Sequence, residues 1–415
     1  MGRFFPATKL KGLFLTHYIH EQSERVTIMK KRIASLFVTG LCAALIVGCN
    51  SNDAGTGSEP SQIGSSGTAV ETTPSTASTT DAEPTEDVTP EVATAEIPEG
   101  MYLSELTGEP IDESLKDQRP IAVMVDNEKT ALPHYGTAEA DIVYELMNST
   151  KNGRITRLMC IFKDWGSIEQ LGSIRSTRPT NIVLAAEFNA VLCHDGGPYY
   201  NDSYFQQNLF ADHFSGIFSR VNNGKSREFT EYIVSGDLDK AFGNSKISTT
   251  YNDNRFEDGE KFYFADYGTT VDLAAEGTEV TDVTEVVLPF THNESTLKYN
   301  PDTEMYEYYE YGSAHLDAED NEPLAFDNVI LQNTSHSQLD ENGYLVYNYL
   351  DNGDQCTGYY LTKGQCIPIY WIKGSQEALT YYFTDSSYSQ ELQINTGKTY
   401  VALGPRDTWG DVELK

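Results

Sequence analysis

Six basic side chains, Lys151, Arg154, Arg157, Lys163, Arg175 and Arg178, share one stretch with only two acids, Asp164 and Glu169. The stretch is locally cationic in a 415-residue chain of formal net charge -33. A guanidinium fork binds carboxylate or phosphate bidentately. Free N–H groups and the dipole at a helix start favour an anion as well. The order of residues predicts that these effects meet. Pro179 opens an expected helix reaching Phe188, Ser176 or Thr177 is its expected cap, and Arg175 and Arg178 flank its start. An anion pocket is therefore expected, with Arg157, Arg175 and Arg178 as its cations. The competing expectation is that these arginines pair with the chain's own acids, such as Glu145 and Asp141.

His194-Asp195-Gly196-Gly197 follows an apolar run, Ala190 to Cys193. Ligand sites in open α/β sheets gather at the carboxyl ends of strands, and paired glycines let a ligand approach the backbone. His194 is therefore a candidate binding residue, with Asp126, Asn127 and Glu145 as supporting polar groups; a tight turn with a solvated His is the plainer alternative. Cys193 and His194 are adjacent in a strand and point to opposite faces, so they form no nucleophile and base pair. Cys160 and Cys193 read as buried core thiols. Cys356 and Cys366 flank an expected hairpin, and their pairing stays open. The acidic stretch Asp317 to Glu322 lacks the central Gly and distal Glu of a calcium loop. No zinc, phosphate-loop or serine-elbow motif occurs, so neither a metal nor a cofactor is expected. The tyrosines at 306, 308, 309 and 311 could stack on glycans, but alternation along a strand explains most of them as β packing.

The elements that must position these residues read as two parts. Strands are expected at Pro120 to Val125, Ile155 to Phe162 and Ala190 to Cys193. Helices are expected at Pro179 to Phe188 and Tyr204 to Phe210, and Ala138 to Met147 could be either. Beyond about residue 270, Tyr, Thr, Val and turn residues dominate. The fold class is thus α+β: a mixed α/β domain over residues 100–270, then a mostly antiparallel β-rich domain over 271–415.

Ahead of the body, Lys30-Lys31-Arg32 precede an apolar run from Ile33 to Val47 that ends in Gly48-Cys49. This reads as a signal peptide, too short for a spanning helix, with Met29 as the expected true start. Its end, Ile46-Val47-Gly48-Cys49, resembles a bacterial lipobox, which implies lipidation at Cys49. Residues 1–48 are therefore the expected leader and 49–99 the lipidated Cys with an acidic tether. The tether carries ten acids, no Lys or Arg and no aromatic residue from Asn50 to Glu99, a composition that cannot offset its ordering entropy. So acidic a chain would be repelled by nucleic acid and by anionic lipid.

Several stretches resemble the YerB-like family of bacterial lipoproteins. They include Arg119 to Asn127, Glu139 to Glu145, Arg154 to Arg157, Gly172 to Arg178 and His194 to Gly197. Further along come Leu297 to Asn300, Phe326 to Val329, Tyr370-Trp371 and Asn395 to Thr399. The resemblance implies a two-domain lipoprotein, mostly of Gram-positive bacteria, whose activity is not established. One departure stands out: where relatives usually carry Pro-His-Asn, this chain has Arg227-Glu228-Phe229-Thr230-Glu231-Tyr232.

Together these readings predict a lipid-anchored, non-catalytic protein on the outer face of the bacterial membrane. It would bind an anionic cell-wall component or an acidic segment of an envelope protein. Two alternatives stand beside it. One is a cell-wall-metabolism enzyme with His194 as general acid or base and Glu145 or Asp195 as its partner. The other is a scaffold acting through the β-rich domain.

Overall fold

The strand Ile121–Asp126 reads Ile-Ala-Val-Met-Val-Asp and is buried along its whole length, as is Thr156–Phe162. Near-continuous apolar runs of this kind belong to strands covered on both faces. Alternate residues confirm it. Ile121, Val123 and Val125 join one core, while Ala122 and Met124 join another.

The computed structural model describes residues 95–256, 260–276, 279–348 and 356–415. The leader, Cys49 and the tether up to residue 94 lie outside the described residues. Among the described residues no helix is long and apolar enough to cross a membrane. Residues 93–415 form one compact unit.

A single large sheet organises that unit. Its path runs through Thr281–Asp282, Gln365–Lys373, Thr357–Thr362, Asn328–Thr334, Thr399–Pro405, Ile142–Met147, Thr156–Phe162, Ile121–Asp126, Val191–His194 and His213–Ser215. The strand Thr399–Pro405 holds the two sequence segments together. It pairs in parallel with Asn328–Thr334 on one side and with Ile142–Met147 on the other. Strands from both sides of residue 270 thus lie in one hydrogen-bonded ladder. Ile142–Met147 is a strand, which decides between the two forms expected for that stretch.

The protein is richer in β structure than an α/β first domain implies. Among the described residues its α-helices are short: Pro179–Ala186, Asp202–Phe205 and Asp237–Gly243. The helical stretch expected from Tyr204 to Phe210 is instead that short helix ending at Phe205, followed by a separate 3-10 turn at Asn208–Phe210. The later segment is mainly antiparallel, with the parallel pairings of Thr399–Pro405 and of Gln393–Ile394 with Tyr263–Phe264 as exceptions. Along Met305–Glu310 the side chains alternate, with Tyr306 and Tyr308 fully buried, so these tyrosines are packing groups. The four described cysteines are buried thiols. Cys366 lies across the ladder from Leu361, not from Cys356, because the hairpin closes through the two-residue turn Lys363-Gly364, half a residue later than a turn centred on Lys363.

Candidate functional site

The segment Ser173 to Arg178 crosses the carboxyl ends of the central strands. Arg175 N donates to Met124 O at 2.9 Å, and Asp195 N donates to Arg175 O at 3.0 Å. Helix Pro179–Ala186 then starts with Pro at its first turn, where the missing N–H is no loss. Its cap position is Arg178 and no side chain caps it, which corrects the expectation for Ser176 or Thr177. Ser176 Oγ accepts instead from Arg157 Nη1 at 2.8 Å and from Arg178 Nη1 at 3.2 Å.

Arg157, Arg175 and Arg178 meet on one open cavity of about 910 Å³, whose wall also includes Asn148, Lys151, Ser176 and Tyr344. Glu128 is the carboxylate on that wall. The three arginines are held differently. Arg175 is neutralised by the chain itself: Nε lies 2.7 Å from the buried Asp126 carboxylate and Nη2 lies 2.9 Å from Glu228. Glu228 falls in the segment that departs from the family pattern, so that departure supplies one of the two counter-charges.

Among the described residues, Arg157 and Arg178 have only neutral hydrogen-bond partners. Arg157 Nη1 donates to Asn148 Oδ1 at 3.0 Å and to the Ser176 carbonyl at 2.6 Å, and its Nε is buried without a hydrogen bond. Arg178 donates to the carbonyls of Asn148 and Thr177 at 3.1 and 2.8 Å, and its guanidinium stacks 4.8 Å from the Tyr344 ring centre. They are 5% and 6% exposed. Desolvation pulls Arg157 down to about 10 and Arg178 down to about 9; neighbouring cations add to the effect, while Asp126 and Glu128 at longer range oppose it for Arg157 and Asp340 opposes it for Arg178. Both remain charged at neutral pH. The expected pairing with Glu145 and Asp141 does not occur.

Asn127 and Glu145 do not line the cavity. Glu145 is fully buried and accepts from Thr156 Oγ1 at 2.8 Å, Asn293 Nδ2 at 2.8 Å, Tyr308 OH at 3.0 Å and Tyr400 OH at 2.6 Å. Asn127 Nδ2 joins the same network at 3.3 Å. Burial raises the Glu145 carboxyl against these bonds. The set knits the two sequence segments together, because Asn127 and Thr156 come from one and Asn293, Tyr308 and Tyr400 from the other.

His194 also stands apart from the arginines. Its Nδ1 lies 2.8 Å from the Gly196 carbonyl and its Nε2 lies 3.0 Å from His213, while its ring stacks on Phe205. Desolvation lowers it to about 4, so it is neutral at pH 7. Neither proposed acid partner bonds to it: Glu145 is engaged as above, and Asp195 pairs with Arg220 at 2.8 Å. A Cβ at Gly197 would displace the Asn201 amide, which now donates to the Thr177 carbonyl at 3.3 Å.

A further cluster, His134, Glu310 and His315, escaped the sequence reading. Glu310 and His315 are five residues apart, but His134 is distant in the chain, so the three form no motif and only the fold gathers them.

Two family models match the chain: a protein of unknown function (DUF3048) N-terminal domain over residues 106–248, and the C-terminal domain of the same family over residues 286–401. Together they cover more than half of it, in the same order. The chain belongs to this YerB-like family. It is 26% identical over 252 residues to the Bacillus subtilis (strain 168) protein named "Putative lipoprotein YerB", covering 57% of this chain and 69% of that protein. It also resembles the crystal structure of the YerB protein from Bacillus subtilis, with a TM-score of 0.61 and 21% identity over 76% of this chain and 99% of the other. That likeness shows the fold, and the family's activity is unestablished.

Proposed function

We propose that this protein is an extracytoplasmic lipoprotein, anchored through Cys49, that binds an anionic group of the cell wall without catalysing a reaction. The relative's printed name and the lipobox-like Ile46-Val47-Gly48-Cys49 support the anchor. The anion site would be the arginine cavity. One observation carries this reading: Arg157 and Arg178 are held charged and nearly fully buried with no carboxylate hydrogen-bonded to either. Such charges are costly to leave uncompensated, and a carboxylate or phosphate entering the cavity would meet two preorganised forks and the Lys151 ammonium. Arg175 has a fixing role, since Asp126 and Glu228 already occupy it.

The test is calorimetric titration of the detergent-solubilised full chain with soluble muropeptides and with glycerol phosphate oligomers. Binding of one of them that weakens at least tenfold in Arg157→Lys and in Arg178→Lys supports the reading, because Lys keeps the charge and loses the fork. Binding of neither by the folded protein, or binding indifferent to both substitutions, removes it.

A further inference from the structure

The described residues contain three buried ligating side chains that no motif announced: His134, Glu310 and His315, which are 0%, 3% and 4% exposed. One ligand atom from each lies within 4.8 Å of the others. His134 follows strand Ile121–Asp126, whereas Glu310 ends strand Met305–Glu310 and His315 lies in the return after it. The cluster therefore bridges the two family segments.

Two atoms in it are unaccounted for. His134 Nε2 lies 2.5 Å from the Asp126 carbonyl, which can only accept, so Nε2 carries the proton and Nδ1 presents a lone pair. That Nδ1 is buried without a hydrogen bond, and so is Glu310 Oε2. The other carboxylate oxygen, Oε1, lies 2.9 Å from His315 Nδ1, while His315 Nε2 lies 3.0 Å from Thr137 Oγ1. Glu310 has no Lys or Arg among its described ion-pair partners. A buried carboxyl group between two imidazoles, with unpartnered lone pairs on His134 Nδ1 and Glu310 Oε2, presents a cation with ligand atoms that no donor occupies.

We propose that His134 Nδ1, the Glu310 carboxylate and His315 Nδ1 bind one divalent first-row transition ion of the zinc class. Two imidazoles and one carboxylate suit such an ion, whereas calcium and magnesium prefer all-oxygen sets. The second shell fits as well. Ligating histidines characteristically donate their other N–H to a carbonyl or similar acceptor, as His134 does to Asp126 O and His315 can to Thr137 Oγ1. Ligands about 2.1 Å from a tetrahedral ion sit roughly 3.4 Å apart, so the three side chains need to close by an ångström or so. Because all three side chains are buried, the ion's role is structural: it clips the loop after Asp126 to the Tyr311–His315 return.

The test uses the full chain, stripped with chelator and dialysed. One equivalent of Co²⁺ should enter with the visible absorption of a low-symmetry tetrahedral site, and one equivalent of Zn²⁺ should displace it and raise the melting temperature by several degrees. His134→Asn and Glu310→Gln should each weaken Zn²⁺ at least tenfold. If either variant fails to fold, anomalous diffraction at the zinc edge from the wild-type protein still decides, by a peak among these three side chains. Folded wild-type protein that takes up no metal, a peak elsewhere, or unchanged affinity in folded variants would overturn the site and leave a hydrogen-bonded His–Glu pair.

Discussion

Replacing Arg178 with Met separates a binding arginine from a structural one. The guanidinium falls from an ordinary value of 12.5 to about 9, chiefly through desolvation. At 1.36 kcal/mol per tenfold, that is on the order of 5 kcal/mol of strain on the charged form, and the group is 6% exposed, so solvent screening is slight. Met removes this strain and keeps much of the packing on Tyr344. It also strips a donor from the carbonyls of Asn148 and Thr177, each loss costing about 1–3 kcal/mol. The two effects nearly cancel. Arg178→Met should therefore change the urea unfolding free energy of the full chain by no more than about 2 kcal/mol, in either direction. The anion-induced rise in melting temperature should nevertheless disappear, a change readable from the fluorescence of the protein's three tryptophans. Loss of more than about 4 kcal/mol with the anion shift intact would refute the reasoning and make Arg178 a clamp on the helix start.

Three other outcomes follow from buried groups. Glu145→Leu should destabilise by at least about 4 kcal/mol in urea unfolding, because it orphans donors from Thr156, Asn293, Tyr308 and Tyr400, with Gln restoring part of the loss. Desolvation pushes the Glu187 carboxyl up, but Lys261 and Lys373 together pull it down to about 2 from 4.5. A depressed carboxylate stabilises the fold above its unfolded value and loses that contribution as pH falls towards 2. Glu187→Gln should thus flatten the acid limb of the stability curve between pH 4.5 and 2 by about 3 kcal/mol, measured by urea unfolding at each pH. Finally, burial raises the thiols of Cys160, Cys193 and Cys366, the last to about 12. In the native protein these three should resist a thiol-specific chromogenic reagent and react on unfolding.

Local order was legible where one strand or one turn carries the signal. The apolar runs at 121–126, 156–162 and 191–194 announce strands by composition alone, and Pro179 marks a helix start by its fixed φ. The arginine cavity was legible for the same reason: Arg157 at a strand start and Arg175 and Arg178 in the segment leading into the helix lie within one stretch of charge. Strand Thr399–Pro405 was not, although Tyr400 to Leu403 is apolar, because its place between Asn328–Thr334 and Ile142–Met147 depends on partners far away in sequence. Parallel pairing leaves no turn to reveal it. Nor could spacing show that Glu145 would be taken by Asn293, Tyr308 and Tyr400 and so be withheld from the arginines.

The same non-local closure gives the end of strand Ile121–Asp126 three attachments that no periodicity encodes. The Asp126 carboxylate sits 2.7 Å from Arg175 at the cavity wall, and its carbonyl fixes the tautomer of His134. One residue on, Asn127 Nδ2 reaches Thr156 Oγ1 at 3.0 Å and Tyr308 OH at 3.2 Å. The cavity, the histidine cluster and the buried carboxylate are therefore anchored on adjacent peptide units of a strand buried on both faces. Rigid attachment explains why Asp126 forms its ion pair with Arg175, while it acts on Arg157 only through longer-range attraction. Asp126 is positioned by the core and cannot swing away, so the arginine that reaches it is consumed, and Arg157 and Arg178 keep their charge facing the cavity.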